Sequence, residues 1–212
     1  MINKDVYRVF SVRSRVAYTL VCLDLMCDKY KINKTEREYK YLTNSCWFFI
    51  GPRCDKREFF DFFMDQSYGL IIKWPTKDLI TNEWRTFIPM VVERGIMEIA
   101  NETIDGFKYD IPVLENKKSI LENYYLSLPI EIAELFNYLH EIFVDGYDGG
   151  GDGNNDSFNT LHYLNLIIQL LIKDKVEPPP LEPFLFSKFA DNYGFGSTIS
   201  KREIEEALGM KL

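Results

Sequence analysis

"VFSVRSRVAYTLVCLDLMCDKY", residues 9–30, decides the fold class of this chain. Val9, Val12, Val16, Leu20, Leu23, Cys27 and Tyr30 recur at steps of three and four. That period draws one apolar stripe down about six helical turns. Working outward, the same period recurs nearly throughout.

Thr35-Glu36-Arg37-Glu38 matches a capping box, in which the cap side chain and the third-position glutamate satisfy free N–H groups. Tyr39, Leu42, Cys46 and Phe49 then carry a second stripe, which Gly51-Pro52 ends. Asp55-Lys56-Arg57-Glu58 repeats the capping logic before the aromatic "FFDFFM" of residues 59–64, a short helix expected to end near Gln66. "YGLIIKWP" at residues 68–75 fits either a short strand or a buried helical turn. A longer helix is expected from Asp78 to Thr103, kinked at Pro89 by the missing N–H donor. Ile104 to Asn116 reads as a loop, with "GFKYDIPV" at 106–113 as a short extended segment.

Lys117 to Tyr125 is helical in pattern, and Pro129 suits the start of a helix reaching Phe143. Asp156 or Ser157 caps a further helix through Ile172. Pro178-Pro179-Pro180 favours extended polyproline geometry, and the last capping box is Ser200-Lys201-Arg202-Glu203. The expectation is an all-α, compact multi-helix domain of about nine to ten helices with one short extended segment. Residues 1–176 form its helical core. Residues 177–212 form a Pro-rich connector and a C-terminal helical segment packed on that core.

Composition narrows the function classes. A hydrophobic fraction of 46% with 15% aromatics suits a folded chain of 212 residues. The net charge of −7 opposes general nucleic-acid binding, which needs a basic footprint. Cys22, Cys27, Cys46 and Cys54 contain no C-x-x-C pair, and three of them sit in apolar helical patterns as small core hydrophobes. No stretch approaches the ~20 apolar residues of a membrane span, and the run from Val16 is broken by Asp24 and Asp28 without a cleavage site. A cytoplasmic protein with reduced thiols and no membrane association is expected.

"FVDGYDGGGDGNNDSFNT", residues 143–160, holds four aspartates and five glycines. A calcium loop needs oxygens at positions 1, 3 and 5, glycine at 6 and glutamate at 12. Started at Asp152, it meets Ser157 at the sixth position and Tyr163 at the twelfth; started at Asp148, it meets Gly150 at the third and Asn159 at the twelfth. Both registers fail. A phosphate cradle needs a preceding strand and a following lysine, and the aspartates would repel its ligand. His140 and His162 flank the stretch, yet "HEIFV" lacks the second histidine of a zincin motif. No serine or cysteine dyad with histidine appears. No metal, cofactor or catalytic residue is therefore assigned, and the chain is expected not to be an enzyme.

Charge placement is more informative. Ser119 to Ile172 contains no Lys or Arg but eight carboxylates, against 25 basic and 24 acidic side chains in the other 158 residues. At 100° per residue, Glu131, Glu134, Tyr138, Glu141 and Asp145 fall within a sector of about 80°. Ile132, Leu135, Phe136, Leu139, Ile142 and Phe143 take another sector, facing the core. Acidic groups at a helix C-terminus oppose its dipole and repel one another, so stability alone would not select this arrangement. Such a patch steers and selects a basic partner.

In size, helicity and the acidic face of residues 131–156, the chain resembles the helical immunity proteins of bacterial polymorphic toxin systems. The resemblance implies a non-catalytic protein that occludes the active site of a cognate toxin, frequently a basic nuclease. From charge geometry, Glu134, Glu141, Asp145, Asp148, Asp152 and Asp156 would meet Lys and Arg of the toxin domain, with Tyr138 and Tyr147 as aromatic anchors. The alternatives are a helical scaffold or regulatory subunit using Phe59, Phe60, Phe62, Phe63 and Trp74, and a metal-dependent enzyme using His140 and His162.

Overall fold

A computed structural model describes residues 4–52, 76–77, 84–85, 103–104, 107–108, 117–149, 158–191 and 194–212. Among these residues the fold is helical. Six α-helices run Val12–Tyr30 (α1), Arg37–Ile50 (α2), Lys117–Ser127 (α3), Ile130–Gly149 (α4), Phe158–Lys173 (α5) and Lys201–Leu208 (α6). Lys4–Val9 and Glu182–Phe184 are 3-10 turns. Nine to ten helices were expected for the chain; the described residues hold six α-helices. The helix expected at 55–66 lies outside the described residues. Where one long helix was expected from Asp78 to Thr103, Thr76–Lys77 (β1) pairs antiparallel with Trp84–Arg85 (β2). Thr103–Ile104 (β3) pairs likewise with Phe107–Lys108 (β4), so Phe107 falls in the anticipated extended segment.

The opening stretch does form a helix, but not one with a single buried stripe. Every residue of α1 from Val12 to Asp24 is buried, and α2, α4 and α5 all pack against it. Val9 instead falls in the preceding 3-10 turn and is 46% exposed. A helix enclosed on all sides must satisfy its polar side chains internally, because a buried polar group without a partner costs ~1–3 kcal/mol.

The serines at its start do so by a traceable relay of protons. Ser187 Oγ donates to the Ser197 carbonyl at 2.8 Å. Each hydroxyl has one proton, so Ser11 Oγ is the donor in its 2.7 Å contact with Ser187 Oγ. Ser11 Oγ also caps α1 by accepting the Ser14 N–H at 3.0 Å. Arg13 donates to the Gly196 carbonyl at 2.8 Å. Arg15, fully buried, donates to Thr160 Oγ1 at 2.7 Å and lies over the Phe189 ring.

These bonds hold part of the segment 177–212 against α1. Tyr18 adds a bond to the Pro179 carbonyl, and the Ile199 N–H reaches the Ile50 carbonyl at the end of α2. Gly196 allows the closest approach: φ is +72°, and a Cβ there would lie 2.3 Å from both Ser11 Cβ and Ser187 Oγ.

Helix ends follow local chemistry unevenly. The capping box at Ser200 and Glu203 forms in full. The one expected at Thr35 does not, because Thr35 gives both its N–H and its hydroxyl to Asn33 Oδ1. Glu36 stands at the cap of α2 without a side-chain bond. The Pro129 carbonyl receives the first N–H groups of α4, from Ile132 and Ala133.

Candidate functional site

α4 and α5 are consecutive along the chain and pack together against α1. The apolar sector of α4 behaves as its spacing requires: Ile132, Leu135, Phe136, Leu139 and Ile142 are buried, and Leu164, Ile167, Ile168 and Leu171 meet them from α5 in one core. Burying this seam leaves the acidic sector of α4 along its outer edge. Glu134, Tyr138 and Glu141 are each partly buried there.

Tyr138 is held in place. Its ring stacks on Tyr163 of α5, with centroids 6.0 Å apart and planes 29° from parallel. Such pairs contribute ~0.5–1.5 kcal/mol beyond area burial. Burial, with the nearby Glu134 carboxylate adding to it, raises the Tyr138 hydroxyl above the ordinary phenol range. The phenol therefore stays neutral and available as a hydrogen-bond donor. His162, exposed, lies edge-on to Tyr163.

The base of the face is tied down more firmly. Tyr30, at the end of α1, donates to Asp174 Oδ2 at 2.5 Å, and that bond, with burial and the carboxylates of Asp174 and Glu131, raises its hydroxyl. Lys29 also bonds the Asp174 carbonyl. Glu131, the first acid of the stripe, thus faces the end of α1. Glu134 has no ion-pair partner among the described residues. Ile130, next to Glu131 at the start of α4, is 44% exposed.

α4 does not stop at Phe143. Its backbone stays helical through Asp145, Tyr147 and Asp148 to Gly149. Glycine disfavours the helix interior by only about 1 kcal/mol against alanine, and each added residue of a formed helix gains a main-chain bond. The continuation changes the geometry of the expected site. On the helical register, Asp145 and Asp148 stay on or beside the acidic sector. Tyr147 falls about 180° from Tyr138, closer to the sector of Phe136 and Phe143. Asp152 and Asp156 lie outside the described residues, as do Phe59, Phe60, Phe62, Phe63 and Trp74 of the apolar alternative.

Tyr163, the ring partner of Tyr138, was not among the expected site residues. Its signal was available: α4 and α5 are consecutive amphipathic helices, and Tyr163 sits one residue before the buried Leu164 on the outer edge of the seam. Among the described residues no three His, Cys, Asp or Glu side chains cluster as metal ligands. Among them, too, no helix is long and apolar enough to cross a membrane. No protein-family model matches the chain, and no curated protein or solved structure matches it significantly.

Proposed function

We propose that the chain is a non-catalytic protein-binding protein that engages a basic partner through the outer face of α4 and α5. An immunity protein occluding a toxin domain is the specific form of this reading. The observation that carries it is the Tyr138–Tyr163 stack beside Glu134, a carboxylate with no ion-pair partner among the described residues. A stacked aromatic pair is already ordered before contact, so little rotamer entropy is lost when a partner covers it. Acids around such an anchor favour arginine and lysine, speed encounter and reject acidic surfaces. The partly buried tyrosine supplies contact area that charge alone does not.

Glu134, Tyr138 and Glu141 form the centre of the face, and Asp145 and Asp148 extend it along α4. Asp152 and Asp156 continue it in sequence, while Tyr147, about 180° from Tyr138 on the helical register, drops out of the face. The partner's basic groove would be covered, with no bond made or broken. The interaction weakens with salt, because charges separated by more than a Debye length of ~8 Å at physiological ionic strength are screened.

The test compares capture from the source cell by the natural chain and by a Glu134→Lys, Glu141→Lys, Asp145→Lys variant of unchanged helicity. The expected result is one basic protein retained by the natural chain, released by high salt and absent from the variant. Retention of the same protein by the variant would overturn the reading.

A further inference from the structure

A second site, away from the acidic face, lies where α1, α2 and α6 converge. A cleft of about 120 Å³ opens there, lined by Leu20 and Asp24 of α1, Lys34, the Tyr39–Trp47 stretch of α2, Lys201 and Leu212. That is room for several water molecules or one small head group.

Its ionic groups are unequally engaged. Lys34 is spoken for: its ammonium bridges Asp24 at 2.8 Å and Asp28 at 2.7 Å, and Tyr39 donates to the other Asp24 oxygen. Burial works against the Lys34 charge, but those carboxylate bonds outweigh it and raise its pKa. Lys40 and Lys201 have no ion pair among the described residues, although both line the same cleft and both are partly buried. Glu205 and Asp24 act on Lys201 from a distance, yet burial dominates and lowers its pKa. Neither ammonium is sealed from water, and both border the same space, so an anion entering it meets two cations not already bound to a carboxylate among the described residues. Leu20, Trp47 and Leu212 give the cleft an apolar wall, which suits an anion carrying a short hydrocarbon body.

We infer that this cleft binds a small organic anion, its carboxylate or phosphate head between Lys40 and Lys201 and its body against Trp47. The site is independent of the acidic face and needs no protein partner.

Calorimetric titration of the full chain with inorganic phosphate, and separately with acetate, at constant ionic strength tests it. Saturable one-site binding of either probe is expected, and the tighter probe names the head group. Lys40→Gln and Lys201→Gln should each raise the dissociation constant about tenfold, as loss of one charge-assisted hydrogen bond implies. Lys173→Gln, on exposed α5 surface, should leave it unchanged. Lys40→Gln carries the test alone if Lys201→Gln disturbs α6. No saturation at tens of millimolar of either probe, or equal affinity in Lys40→Gln, would overturn the site.

Discussion

The N-terminal half of α1 and the outer face of α4 both place polar side chains on a helix, with opposite consequences. On α1 the polar groups are buried and partnered: Ser11, Arg13, Ser14 and Arg15 all bond to the segments around residues 160, 184–187 and 196. On α4, Glu131, Glu134 and Glu141 are only partly buried, and Glu134 has no cation within ion-pair distance among the described residues. Buried partners make the first region indispensable to folding. Glu134 has no ion pair of that kind among the described residues, so its replacement should cost folding little. Polarity alone does not distinguish the two; enclosure does.

The largest effect should come from breaking the enclosed region at its tightest point. Gly196→Ala forces a Cβ against Ser11 and Ser187 at a positive φ, and should cost at least about 3 kcal/mol in urea unfolding. Ser187→Ala removes the acceptor for Ser11 and the donor to Ser197, and should cost about 2 kcal/mol by the same measurement. A result near zero for Ser187→Ala would mean that water replaces the relay and that the region is less enclosed than its packing indicates.

Alkali should act on the same core. Burial pushes the Cys27 and Cys46 thiols up to about 12, against an ordinary value of 9.0. The unfolded chain therefore loses these protons from about pH 9, whereas the native chain keeps them to about pH 12. Stability present at neutral pH is lost across that window, by about 1.4 kcal/mol per pH unit for each thiol. Urea midpoints followed through the window should show that slope, and Cys46→Ala should reduce it by one thiol's share.

The smallest effect belongs to the open face. Glu134→Gln should change stability by less than about 0.5 kcal/mol, yet weaken binding of the basic partner and make it less salt-sensitive. A loss of stability comparable to that of Ser187→Ala would show Glu134 to be structural and erase the contrast.

Much of this contrast was legible locally. Stripe and sector spacing found α1, α2 and α4, and a cap signal found α5, because helical period and cap chemistry are set by near neighbours. The Ser200–Glu203 capping box was legible because both its groups lie within one turn. Thr35–Glu38 has the same pattern and fails, since the Thr35 N–H that Glu38 would accept goes to Asn33 Oδ1. Asp105-Gly106 between β3 and β4 was an unused hairpin signal, the dipeptide that suits a two-residue turn. The continuation of α4 to Gly149 was hidden by its glycines, whose penalty is small beside that of interrupting a formed helix.

By itself, then, the sequence determined the helical period, the apolar seam of α4 and α5, and the concentration of acid between Ser119 and Ile172. These follow from neighbours within a few residues. The enclosure of α1, the pairing of Tyr138 with Tyr163 and the convergence of Lys40 and Lys201 on one cleft depend on segments apart in the chain. Only tertiary packing decides them, because whether a polar group is a structural bond or an open contact depends on what the rest of the chain places against it.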